Sequence, residues 1–210
     1  MLAKKDKIFF IINQLKERNR KLGLALPPLF YITEKARQKD TLAVIKLLPQ
    51  GSAVILRDYG VDKREELGKE IKKICTKRKL KLLVAGDYAL AKKLKADGMH
   101  FSERNFRTAQ KIKQIEPGFL ITTSVHKPIS LFKYNNKVAH AVLITPLFKT
   151  ESHPGRKAFG PLIYNSLARK SHLPVIALAG INHSNISIIR NLTVAGVSLV
   201  SGLEAIDKQE

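Results

Sequence analysis

Short apolar runs alternate with longer amphipathic stretches along nearly the whole chain. The short runs are continuous rather than alternating, which is typical of strands that a parallel sheet buries on both faces. Between them, apolar residues recur at helical spacing. The pattern predicts eight strands, at residues 29–33, 53–57, 80–85, 98–101, 119–124, 141–145, 174–179 and 197–200.

Helices are predicted between these strands. Asp87 is a candidate N-cap for one of them, and residues 149–157 carry no period and are expected to form a mobile surface loop. A short tail helix is expected after the last strand. The predicted helices cover residues 5–22, 34–48, 62–78, 87–95, 105–115, 160–170 and 183–193, with a weaker one at 127–136.

Eight strands alternating with helices predict an α/β fold, a single (β/α)8 TIM barrel. An open doubly wound sheet is disfavoured because no Gly-x-Gly-x-x-Gly turn follows the first strand. We assign residues 27–210 to a phosphate-binding barrel domain. Residues 1–26 are predicted to be an N-terminal helical extension.

The net charge of +21 changes this picture little, because the lysines are spread over nearly every helical segment. This distribution favours a solvated helical exterior over a nucleic-acid-binding patch, although such binding stays open as an alternative. The single cysteine, Cys75, excludes an internal disulfide and fits a reducing cytoplasm. Ile8 to Ile12 is too short for a signal core, and no segment is long enough to span a membrane.

Two strands near the end of the chain stop at glycine, the first at Gly180 and the second at Ser201-Gly202. Free backbone N–H groups and the start of a following helix attract anions. In a TIM barrel the loops after strands 7 and 8 often hold a phosphate. We therefore predict a phosphate cradle here, with the alternative that the glycines only relieve crowding.

Other candidates follow from the rule that barrel active sites lie at the C-terminal ends of strands. His126 is a candidate general base, with Ser124 projecting to the same side. Arg57 suits a phosphate, or alternatively forms a salt bridge to a neighbouring acid such as Asp58 or Asp87. His100 is expected to be a buried core residue. Thr145 and Thr150 complete the predicted substrate-binding set.

The order of these motifs resembles the thiamine-phosphate synthase/TenI family over residues 27–205. The resemblance implies a TIM barrel that binds the phosphate of a thiazole phosphate. The motifs that carry it are residues 29–34, 56–58, 96–100, 124–126, 145–150, 179–181 and 200–202.

Several positions depart from the synthase pattern that this resemblance implies. The synthase joins an aminopyrimidine diphosphate to the thiazole phosphate and needs Mg²⁺ to neutralise the leaving diphosphate. Asn105 stands where the family has a metal-binding aspartate, and His153 where it has a lysine. Asp87 remains as a metal carboxylate, with Asp58 and Glu103 as possible replacements.

The TenI branch isomerises a thiazole phosphate tautomer by moving protons and needs no metal. Here the resemblance assigns proton transfer to His126, and one positioned base typically contributes about 10²–10⁴-fold. The favoured hypothesis is this metal-free reaction without a cofactor. The alternatives are a Mg²⁺-dependent synthase with a degenerate diphosphate site, and a non-catalytic barrel that binds phosphate or nucleic acid. A homo-oligomer is compatible with each hypothesis.

Overall fold

Eight parallel strands close into one barrel in the computed structural model of the protein, which describes residues 4–34, 40–60, 62–150, 155 and 157–200. Each strand pairs with its neighbours in chain order, and the first also pairs with the last. The predicted (β/α)8 fold is therefore confirmed. The strands are β1 (Leu29–Ile32), β2 (Ala53–Leu56), β3 (Lys81–Ala85), β4 (Gly98–Phe101), β5 (Leu120–Val125), β6 (Ala141–Ile144), β7 (Val175–Leu178) and β8 (Gly196–Leu199).

Helices surround the barrel, as expected for parallel strands that need crossover connections. Two connections also contain 3-10 helices, Glu103–Asn105 before α5 and Ile186–Asn191 after β7. The α-helices of the described residues are α1 (Lys4–Lys21), α2 (Thr41–Leu47), α3 (Arg64–Arg78), α4 (Tyr88–Lys93), α5 (Phe106–Ile115), α6 (Pro128–Leu131) and α7 (Gly160–Lys170). None of the described helices is both long and apolar enough to cross a membrane.

Alternate residues of each strand point into the barrel and form its inner core. Phe30, Ile55, Leu83, Leu143 and Ile176 pack together in this inner layer. The intervening residues pack against the helices in a larger outer core. Successive residues of a strand face opposite sides of the sheet. The residue two positions after an inward-facing apolar residue therefore also faces into the barrel. This alternation carries polar side chains to the barrel end at which the strands finish, called here the mouth.

Helix α1 is part of the outer core. Ile8, Ile11 and Leu15 are buried in it, as the predicted amphipathic pattern requires. At the end of the helix, the side-chain amide of Asn19 donates to the Ala195 carbonyl at 2.7 Å. Arg18 donates to the carbonyls of Leu192 and Val194. These hydrogen bonds tie the N-terminal helix to the segment that enters β8.

Asp87 is the N-cap of α4, as predicted, and its carboxylate accepts a hydrogen bond from Leu90 N–H at 2.9 Å. Of the helix predicted at 34–48, residues 35–39 lie outside the described residues, and the described helix α2 begins at Thr41, where Asp40 caps it through Ala43 N–H at 2.9 Å. The helix predicted at 127–136 is a single turn that begins at Pro128. The predicted tail helix and most of the predicted loop 149–157 lie outside the described residues.

The helix predicted at 183–193 is present but shorter and of a different type than an α-helix. The described element there is the shorter 3-10 helix Ile186–Asn191. Side-chain amides explain the difference, because Asn182 accepts from the N–H of Ser184 and Asn185 accepts from the N–H of Asn182. Asparagine competes in this way with helical hydrogen bonds and favours turns.

Candidate functional site

The mouth of the barrel gathers residues that are far apart in sequence. Arg57, Asp87, His126, Thr145 and Gly180 directly follow the strands β2, β3, β5, β6 and β7 or lie within two residues of their ends. The strands are parallel, so all five residues lie at the same end of the barrel. The structure therefore places these predicted site residues around one opening.

Arg57 forms an ion pair with an acid at this opening. Its Nη2 lies 2.8 Å from Oε2 of Glu34, which follows β1. Its backbone N–H donates to Thr33 Oγ1 at 3.1 Å. Both charged side chains keep about a third of their surface or less exposed. The alternative that Arg57 pairs with a neighbouring acid is confirmed, and the acid is Glu34 because β1 and β2 are adjacent strands.

Asp87 has a structural role that competes with metal binding. One carboxylate oxygen caps α4, and the other lies 3.6 Å from Nη1 of Arg64. Arg64 in turn donates to the carbonyls of Leu56 and Ala85, at the ends of β2 and β3. No cluster of three or more metal-ligating side chains occurs among the residues that the structure describes.

Ser124 lies on the inward side of β5, and its hydroxyl contacts His100. Oγ of Ser124 is 2.9 Å from Nε2 of His100, and Thr122 Oγ1 is 2.9 Å from Nδ1. All three side chains are buried. Burial, Arg57 and His126 lower the pKa of His100 to about 3, so its ring is neutral. The expectation that His100 is a buried core residue is confirmed.

His126 is half-buried and is held at the mouth by the preceding connection. Its backbone N–H donates to Oε2 of Glu103 at 2.7 Å. Glu103 begins the 3-10 helix after β4, so this bond fixes the ends of β4 and β5 relative to each other. The structure therefore places His126 beside the opening, as the sequence predicted.

A cleft of about 960 Å³ begins at His126 and Glu103 and runs between α5 and α6. Four cationic side chains line it, and Glu103 is the acid that it contains. Phe106 and Tyr134 form an edge-to-face aromatic pair in its lining, with ring centres 5.3 Å apart. Such a lining attracts anions and offers some apolar contact. The cations are Arg104, Arg107, Lys127 and Lys133.

Gly180 has a positive φ of 70° and lies against the connection after β6. A Cβ there would come within 2.5 Å of the Lys149 carbonyl oxygen and 2.6 Å of Phe148 Cβ. Phe148 N–H also donates to the Ala179 carbonyl at 3.2 Å. The crowding that we gave as an alternative reason for this glycine is thus present.

The N–H groups of Gly180 and Ile181 nevertheless make no hydrogen bond to any described residue. Two adjacent N–H groups at a strand end are suited to an anion. The expected contribution of a helix dipole is missing on this side, since a short 3-10 helix follows. Ser201 and Gly202, the other half of the predicted cradle, lie outside the described residues.

Thr145 is buried at the end of β6, and its N–H donates to the Val125 carbonyl at 3.1 Å. Thr150 is half-buried further along the same connection. Sequence reasoning did not find Arg64, because an arginine in the first turn of a helix carries no signal that it reaches two strand ends. The contacts of Glu34 and Glu103 at the mouth were also missed, because they depend on which strands are neighbours in the barrel.

Comparison with known proteins decides the family of this barrel. The thiamine monophosphate synthase family matches residues 29–203, which is most of the chain. The chain belongs to the thiamine monophosphate synthase family. This assignment confirms the resemblance inferred from the seven motifs.

The similarity to two relatives extends over most of both chains. A candidate thiamine-phosphate synthase 2 of Aquifex aeolicus is 28% identical over 183 residues, which are 85% of this chain and 98% of that protein. The thiamine-phosphate synthase of Methanococcus vannielii is 27% identical over 177 residues, 83% of this chain and 85% of the relative.

Among solved structures, thiamine phosphate pyrophosphorylase from Pyrococcus furiosus matches with a TM-score of 0.70 and 21% identity. The match covers 82% of this chain and 85% of the other. It supports the fold alone.

Proposed function

We propose that this barrel binds a thiazole phosphate and isomerises its tautomer to the aromatic form by metal-free proton transfer. The observation that carries the proposal is the placement of His126 at the mouth, between the phosphate-suited end of β7 and the cationic cleft. In this reaction the imidazole accepts a proton from a ring carbon. The electron pair that is left enters the ring and shifts an exocyclic double bond of the tautomer, and the imidazolium returns the proton to the exocyclic side-chain carbon, so no atom or electron is gained or lost.

The phosphate of the substrate is proposed to sit at the end of β7. Support comes from the adjacent N–H groups of Gly180 and Ile181, neither of which has a described hydrogen-bond partner. Arg57, Thr145 and Thr150, together with Ser201 and Gly202, complete the proposed binding set. Phosphate binding at a distance from His126 anchors the ring while leaving the proton-transfer step to the histidine.

The carboxylates around the mouth support a reaction without Mg²⁺. Hard cations require several oxygen ligands, usually including carboxylates. Glu34 pairs with Arg57, and Glu103 accepts from the backbone of His126. Asp87 caps a helix and lies close to Arg64. Asn105 cannot supply the carboxylate that the synthase pattern has at its position.

A thiamine-phosphate synthase is the second candidate, and the names of the relatives favour it. That reaction expels diphosphate, whose charge has to be neutralised as it leaves. The cations of the cleft, such as Lys127 and Arg104, would supply part of this neutralisation. The same cations also support a third candidate, a non-catalytic barrel that binds phosphate or nucleic acid. Homo-oligomerisation and a cytoplasmic location remain proposals alongside each.

Two assays on the purified protein separate these candidates. The first supplies the thiazole phosphate tautomer in the presence of EDTA and follows its conversion to the aromatic isomer. The second supplies aromatic thiazole phosphate and aminopyrimidine diphosphate with Mg²⁺ and follows thiamine phosphate. Conversion in the first assay supports our proposal. Product in the second assay alone would replace it with the synthase, and a barrel inactive in both assays would be left as a binding protein.

A further inference from the structure

A histidine and two hydroxyls form a continuous hydrogen-bonded chain inside the barrel, just below the mouth. His100 on β4 lies directly opposite Thr122 on β5 in the strand register, with Ser124 two residues further along β5. Each ring nitrogen of His100 is 2.9 Å from one hydroxyl oxygen. Ser124 is the member nearest the mouth, because it lies next to the end of β5.

The neutral imidazole has one N–H donor and one lone-pair acceptor, so it donates to one hydroxyl and accepts from the other. It stays neutral because it is fully buried and faces the charge of Arg57 and the ring of His126. Two arrangements of protons are then available to the chain, and they differ in the direction in which the Ser124 hydroxyl points.

The buried hydroxyl of Thr122 decides between these arrangements. Among the described residues its hydroxyl makes a hydrogen bond only to His100 Nδ1. If Thr122 donates to Nδ1, its proton is satisfied and the ring proton is on Nε2. If Nδ1 carries the proton instead, the Thr122 O–H is buried with no described acceptor, which is unfavourable.

We propose that His100 is a positioning residue that fixes the Ser124 hydroxyl as a hydrogen-bond donor toward the substrate. Nε2–H donates to Ser124 Oγ, and this leaves the serine proton directed away from the histidine. A donor at this point stabilises negative charge that develops on an acceptor atom of the ring while His126 holds the abstracted proton. The inference rests on the proposed function for its substrate, whereas the proton arrangement itself is a property of the free protein.

Nitrogen-15 NMR of the histidine rings in the ligand-free protein tests this arrangement without reference to activity. We expect the His100 ring to be the Nε2–H tautomer. We also expect it to stay neutral over roughly pH 5 to 8, where an ordinary histidine changes charge. Thr122→Val should also retain Nε2–H, because an Nδ1–H facing the valine would be buried without an acceptor. Ser124→Ala should retain Nε2–H. An Nδ1–H ring in the wild type, or a ring that titrates in this range, would overturn the proposal.

Kinetics of tautomer conversion test whether His100 acts through Ser124. Ser124→Ala and His100→Leu should each lower kcat by about 10²-fold, as losing one preorganised donor does. His100→Leu should have little further effect in the Ser124→Ala background, because the two residues form one unit. His100→Gln, whose amide can donate from near the Nε2 position, should recover most of the rate and provides a second variant if the leucine variant does not fold. Equal losses from His100→Leu in both backgrounds would contradict the positioning role, whereas a wild type without conversion would remove the proposed function and leave the NMR result standing.

Discussion

Nη2 of Arg57 lies 2.8 Å from Oε2 of Glu34, across the ends of two neighbouring strands at the mouth. The cation that we assign to the substrate phosphate is therefore held by an acid before any substrate arrives. Substrate and Glu34 would compete for the same guanidinium group. Removing the charge of Glu34 should therefore increase the affinity for the substrate phosphate.

Glu34→Gln is expected to raise the affinity for thiazole phosphate by about two- to fivefold, because partly exposed ion pairs contribute up to about 1 kcal/mol. Arg57→Gln should lower the affinity by about tenfold or more, the usual worth of a charge-assisted hydrogen bond. Titration calorimetry measures both changes. Glu17→Gln is a matched control, since Glu17 pairs with Arg20 on the surface of α1. If Glu34→Gln weakens binding instead, the glutamate itself contacts the substrate and the competition does not exist.

The end of β7 gives a second prediction. Addition of thiazole phosphate should shift the backbone amide resonances of Gly180 and Ile181, because these N–H groups are proposed to donate to the phosphate. The amide of Gly51, a distant glycine that also has a positive φ, serves as the control. Amide NMR is preferable to substitution here, since any side chain at position 180 meets the Lys149 carbonyl. A ligand that binds while both amide resonances stay unchanged would place the phosphate elsewhere.

Gly98 provides a test of the barrel geometry. A Cβ at this position would overlap the Leu120 carbonyl oxygen, which belongs to the neighbouring strand and cannot move alone. Gly98→Ala should lower the free energy of unfolding by about 3 kcal/mol, at the upper end of overpacking effects. Gly118→Ala meets no atom within 4 Å and should change stability by less than about 0.5 kcal/mol. Denaturant unfolding compares the two, and equal effects would mean that β4 and β5 are not so close.

Much of this fold was predictable, because burial on both faces of a parallel strand gives continuous apolar runs that stand out from the helices between them. The Asp87 cap was also predictable, since a cap is a local interaction within a few residues. The start of α2 was missed for a local reason as well. Asp40 caps it at Thr41, whereas the apolar spacing alone extends the helix back to residue 34.

The partners of the candidate site residues were harder to predict. Ser124 meets His100, and Arg57 meets Glu34, only because adjacent strands pair in a particular register. A single sequence fixes which residues end a strand but does not give that register. The position of His126 was predictable from the strand-end rule, whereas its bond to Glu103 required the structure.

The central claim is that His126 carries a metal-free proton transfer, and its most direct test is conversion of the thiazole phosphate tautomer in EDTA by the wild type and by His126→Asn. We expect conversion by the wild type and a loss of about 10²-fold or more in the variant, with thiazole phosphate affinity nearly unchanged. His172→Asn, an exposed histidine just before β7 at the opposite end of the barrel, should convert like the wild type. Equal conversion by His126→Asn and the wild type, with the same melting temperature, would contradict the claim.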